Sequence, residues 1–97
     1  MTKTQFLLRS KRKKILQTAT QYGVKRVRVF GSVARGTDDQ SSDVDFLVEM
    51  NPDRSLLDLG GFLYEVRLLL GTEVDVVTEK GLQSRIREQV LAEALDL

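Results

Sequence analysis

The chain has 97 residues, 41% hydrophobic and 30% charged, with a net charge of +1 and neither cysteine nor histidine. That length leaves room for one core, so a single domain over residues 1–97 is expected, and no apolar run reaches the roughly 20 residues that span a bilayer. Disulfides, thiolate and imidazole metal ligands and Ser-His-Asp triads are excluded; with no signal-peptide pattern at the start, the reading is a cytoplasmic protein whose chemistry runs on carboxylates, hydroxyls, Lys/Arg and a bound cation.

Residues 5–22 carry Leu8, Ile15, Leu16, Ala19 and Tyr22 at helical spacing, with "RSKRKK" on the wet side and Gly23 as a stop. "KRVRVF" (25–30) alternates basic and apolar residues, as a half-buried strand does. "GSVARG" (31–36) follows as a turn leading into a short helix. "DVDFLVEM" (43–50) alternates again, with Val44, Phe46 and Val48 inward, and "NPDR" is turn chemistry. Ser55 and Asp58 form a capping-box pair at the start of a second long helix, and Gly71 stops it. Its apolar stripe is Leu56, Leu59, Leu63, Val66 and Leu70. Gly60-Gly61 interrupts that stripe at about 1 kcal/mol per glycine relative to alanine, a cost that either a close helix–sheet approach justifies or nothing offsets. "TEVDVVTE" (72–79) reads as a third strand. Residues 84–96 read as a last helix with Ile86, Val90, Leu91 and Ala94 inward. The fold class is therefore α/β (α+β): a small mixed sheet with its helices on one face.

Charge is unevenly spread. Residues 1–37 hold ten of the fifteen Lys/Arg and no acid, whereas residues 38–97 hold all fourteen acids and five bases. Opposite charges covering one folded surface explain this as well as a basic face for phosphates or an acidic partner does. Basic residues are not interleaved with aromatics, so direct nucleic-acid binding is not expected.

Asp43 and Asp45, two apart on a strand, point to one face, while Val44 and Phe46 point to the core. Asp75 repeats the pattern between Val74 and Val76. If the two strands are neighbours, three carboxylates converge. Unpaired, and within about 4 Å, they would repel by several kcal/mol per pair at an effective dielectric near 20. A divalent cation resolves the conflict, and an all-oxygen site suits Mg²⁺ or Mn²⁺ shared with substrate phosphates. Gly31 lets the backbone turn sharply, and Ser32 offers a hydroxyl and an N–H at a helix start, where phosphate oxygens are favoured. Arg35 adds positive charge or pairs with Asp38 or Asp43. A Gly-Ser turn alone is most often only a turn, and an Asp-x-Asp alone is usually solvent-facing. Their joint occurrence in fitting strand contexts is what points to metal-assisted attack on a nucleoside triphosphate.

These residues resemble a known family. "GSVARGTDDQSSDVD", with a third acid on a later strand, is similar to the signature of the nucleotidyltransferase superfamily that includes DNA polymerase beta and kanamycin nucleotidyltransferase. The short chain, the "GSVARG" form and the tail "SRIREQVLAEALDL" resemble the minimal, antitoxin-type nucleotidyltransferases, commonly encoded beside a HEPN-domain protein. Ser84 departs from that pattern, which often has proline ahead of the last helix. The resemblance implies a palm-like fold, ATP as substrate and two Mg²⁺ ions as cofactor. It implies that Gly31 and Ser32, with Arg35, hold the triphosphate and that Asp43 and Asp45 bind both ions. Asp75 then binds the catalytic ion and assists deprotonation of the acceptor hydroxyl.

The activity implied is transfer of AMP to a tyrosine hydroxyl of a HEPN ribonuclease toxin, which silences it. A partner or a second copy of the chain would complete the site, so a homo-oligomer is a second expectation; a membrane partner is not. Two rivals follow from the same residues: a non-catalytic antitoxin that covers its toxin, and a nucleotidyltransferase acting on a small molecule such as an aminoglycoside. The intact acidic trio argues against the first rival and the short chain against the second.

Overall fold

A computed structural model describes residues 1–39 and 41–97. The chain runs α1 (Lys3–Gln21), β1 (Val24–Phe30), α2 (Gly31–Arg35), β2 (Val44–Met50), α3 (Leu56–Leu70), β3 (Val74–Thr78), α4 (Ser84–Glu93) and β4 (Leu95–Asp96), with a 3-10 turn at Glu79–Gly81 before α4. Both long helices begin with reciprocal caps. The Thr2 hydroxyl accepts from the Gln5 N–H at 3.1 Å while the Gln5 side chain accepts from the Thr2 N–H at 3.0 Å, and Ser55 and Asp58 do the same for α3. Each box satisfies two N–H groups that the helix itself leaves without partners.

The sheet order is β3-β2-β1-β4. β1 pairs antiparallel with β2 and with β4, whereas β2 and β3 are parallel. Parallel neighbours need a long crossover, and α3 supplies it. Val27 and Val29 of β1, Val44, Phe46 and Val48 of β2 and Val74 of β3 are buried in one core with Ile15 of α1 and Phe62, Val66 and Leu70 of α3. Full burial of a side chain such as Phe62 contributes about 1.5–3 kcal/mol, and this core fixes which way Asp45 and Asp75 must face.

Four sequence readings are corrected. Leu56 is 84% exposed because the first turn of α3 stands clear of the core, and Phe62, outside the expected stripe, takes the central place at 0%. In α4, Val90 is buried but Ile86 is exposed. The last helix ends at Glu93, because Asp96 and Leu95 pair with Arg28 and Val29 as β4. Helices do not keep to one face. Leu47, on the side of β2 opposite Phe46, is fully buried, and Arg28, its cross-strand partner, is nearly so. The Glu79 carboxylate links Arg28 (2.9 Å) to Arg87 of α4 (3.5 Å), which places α4 on that second face.

The charge asymmetry becomes long-range pairing. Arg26 meets Glu49 and Asp96, Arg28 meets Glu79, and Arg35 meets Glu93. No ion pair involves a Lys or Arg of α1 among the described residues. No helix among them is long and apolar enough to cross a membrane.

Candidate active site

β1 delivers the chain to Gly31, whose φ of +74° lies in the left-handed region that residues with a Cβ avoid. α2 lasts five residues and ends at Gly36, also left-handed. The side chain of Gln5 donates to the Val33 carbonyl at 2.7 Å and braces this short helix against α1. Beyond it, the Asp39 carboxylate accepts from the Ser41 N–H (2.9 Å), the Ser41 hydroxyl (2.8 Å) and the Ser42 hydroxyl (3.2 Å). Those bonds hold its acid below the usual carboxylate range and form the turn that leads back to Asp43.

Asp43 is exposed immediately before β2, Asp45 is half-buried within it, and Asp75 is exposed on β3. In the parallel register Asp45 stands directly beside Asp75, as Val44 stands beside Val74. The two aspartates therefore share the face opposite the core, as the alternation demands. Burial raises the Asp45 pKa above the ordinary value, and the charges of Asp75 and Asp43 raise it further; Arg35 opposes them. That is the electrostatic signature of like charges gathered around one partly desolvated carboxylate. A Cβ at residue 31 would lie 2.6 Å from the Asp45 Oδ2, so glycine makes room for this carboxylate. Gly31, Ser32, Asp43, Asp45 and Asp75 are thus brought to one end of the sheet.

Two details differ from expectation. Among the described residues no three acidic side chains meet closely enough, as they are oriented, to form a finished metal cage. The residues nevertheless fit divalent cations: an oxygen-only donor set, one carboxylate with a raised pKa, and two exposed neighbours beside it. Arg35 pairs with neither Asp38 nor Asp43 but with Glu93, at 3.0 Å. The same carboxylate accepts from the Gly31 N–H at 3.0 Å. Glu93 was invisible to sequence reading, because 62 residues separate it from Gly31 and nothing in "LAEALDL" marks it. Asp75 lies on the edge strand β3 and Asp45 on its inner neighbour β2, so the site spans both strands at one end of the sheet.

A family model described as a nucleotidyltransferase domain matches residues 9–97, and the chain belongs to that family. A Methanocaldococcus jannaschii protein with the provisional name protein adenylyltransferase is 41% identical over 86 residues, which are 89% of this chain and 92% of that protein. A solved structure with the provisional name minimal nucleotidyltransferase superposes with a TM-score of 0.86 at 46% identity, over 96% of this chain and 95% of the other. A crystal structure of a toxin–antitoxin with AMP-PNP gives a TM-score of 0.71 at 20% identity, over 87% of this chain and 69% of the other, a likeness of fold. The chain is a nucleotidyltransferase with a minimal form of the fold.

Proposed function

We propose that this protein is a metal-dependent protein adenylyltransferase that moves AMP from ATP onto a hydroxyl of a toxin partner and so acts as its antitoxin in the cytoplasm. The observation that carries the reading is the register of β2 and β3, which sets Asp45 beside Asp75 on the face opposite the core. The similarity to a protein with the provisional name protein adenylyltransferase supports the donor and acceptor classes. The resemblance of "GSVARGTDDQSSDVD" to antitoxin-type sequences supports a HEPN ribonuclease as partner and a tyrosine as acceptor.

Gly31 and Ser32, with Arg35, would hold the triphosphate at the end of β1. Asp43, Asp45 and Asp75 would hold two Mg²⁺ ions, which when bound lower the pKa of the acceptor hydroxyl and neutralise charge on the phosphates. Asp45, half-buried, fixes the centre of the cluster. Asp75, exposed on the edge strand β3, takes up the proton of the incoming hydroxyl. The acceptor oxygen bonds to the α-phosphorus, the bond from that phosphorus to the bridging oxygen breaks, and pyrophosphate leaves. An exposed carboxylate on an edge strand suits an acceptor carried on another protein.

Incubation of the chain, the product of its neighbouring gene, ATP and Mg²⁺, followed by intact-mass measurement of both proteins, tests the reading. One or more adenylate increments on the partner are expected. A stable complex with no increment, and full neutralisation by Asp43→Asn, would replace the enzyme with a binding antitoxin.

A further inference from the structure

The Glu93 carboxylate, at the last residue of α4, gathers three contacts from the Gly31–Arg35 segment. Its Oε1 accepts from the Gly31 N–H at 3.0 Å and from Arg35 Nη1 at 3.1 Å, and its Oε2 accepts from the same Nη1 at 3.0 Å. The Glu93 side chain is only 18% exposed, so the contact is sheltered although Arg35 itself is 47% exposed. Glu93 also lies near enough to Asp45 for its charge to push the Asp45 pKa upward. A fixed anion therefore sits on the donors assigned above to an anionic substrate.

We propose that Glu93 is a placeholder for nucleotide phosphate: it holds Arg35 and the Gly31 N–H in the free protein, and triphosphate binding displaces it from Arg35. This rests on the reading of Gly31, Ser32 and Arg35 as the triphosphate cradle. A tethered carboxylate competes at high effective concentration. Only the fraction of molecules with Arg35 released binds nucleotide, and the apparent affinity falls by that fraction. In return, Arg35 and the turn at Gly31 are kept ordered while the site is empty. Glu93 acts through Arg35 and is a positioning residue. A purely structural tie between α4 and α2 would make different predictions, since such a tie has no reason to oppose the ligand.

The decisive comparison is ATP–Mg²⁺ affinity by calorimetry for wild type, Glu93→Gln, Arg35→Ala and Arg35→Ala/Glu93→Gln, each checked for its melting temperature. Glutamine keeps the shape of Glu93 and removes its charge. Glu93→Gln is expected to bind about twofold to fivefold more tightly than wild type, the scale of one partly exposed ion pair released. Measured against Arg35→Ala alone, adding Glu93→Gln is expected to give no gain. Unchanged or weaker binding by Glu93→Gln, with wild type still binding, would overturn the placeholder and leave the cradle standing. Binding by neither protein would overturn both. Should Glu93→Gln fail to fold, the Gly31 backbone and Arg35 side-chain N–H resonances of wild type give the answer. Movement of the Arg35 signal on saturation with ATP–Mg²⁺ supports displacement, and a fixed signal rejects it.

Discussion

The Asp45 Oδ2 lies where a side chain at residue 31 would have to begin: a Cβ there would come within 2.6 Å of it. Glycine is thus required at position 31 twice, once by φ of +74° and once by the neighbouring carboxylate. Gly31→Ala is expected to lose about 1–3 kcal/mol of stability, and nearly all transfer activity with it. Thermal unfolding and intact-mass assays on one preparation check both effects. Wild-type stability with wild-type activity would contradict the close approach.

Asp45 should show the opposite signs of stability and activity. Its folded pKa is raised by burial and by Asp75 and Asp43, so the ionised form is disfavoured in the empty fold. Its favourable contribution is complete below the ordinary value of 3.8 and is lost as pH rises through the raised one. At neutral pH, Asp45→Asn is therefore expected to raise the melting temperature of the metal-free protein by a few degrees while abolishing transfer. The gain should shrink as pH falls through the folded pKa. Melting curves in a chelator, taken over a pH series, measure this.

Asp58 carries the contrary sign. The Ser55 N–H and the Arg54 guanidinium hold its pKa below the ordinary 3.8, so it stabilises the fold above that value, and the benefit is lost as pH falls through the folded pKa. Asp58→Asn is expected to melt earlier than wild type at pH near 7 and to match it in strong acid. A difference that persists in acid would show that the capping geometry, rather than charge, dominates.

The adjacent glycines of α3 should separate cleanly. A Cβ at Gly60 meets nothing within 4 Å, whereas one at Gly61 would come within 2.4 Å of the Tyr22 ring. Gly60→Ala is expected to gain up to about 1 kcal/mol from helix propensity, and Gly61→Ala to lose stability by displacing Tyr22. Denaturant melts of the two variants decide it.

What could be read from sequence followed period and punctuation. Ser55-x-x-Asp58, Gly71 and the alternation around Phe46 fixed a helix and a strand, and the Gly-Ser turn with its aspartates marked the chemistry. Contacts remote along the chain left no mark. The justification for Gly61 is Tyr22 at the end of α1, not the sheet that the apolar stripe suggested. A two-residue strand at Leu95–Asp96 is too short to show alternation. Burial of Leu47 broke the half-wet pattern because α4 folds back over the second face, and Glu93 reaches Gly31 and Arg35 only through that same return.

The central claim is that two neighbouring strands supply carboxylates to one reaction. Intact-mass measurement of the partner after incubation with ATP and Mg²⁺, using wild type and a folded Asp75→Asn variant side by side, tests it most directly. Adenylate on the partner with wild type and none with Asp75→Asn is the predicted result. Equal modification by both proteins would mean that the β3 carboxylate takes no part, and would contradict the account.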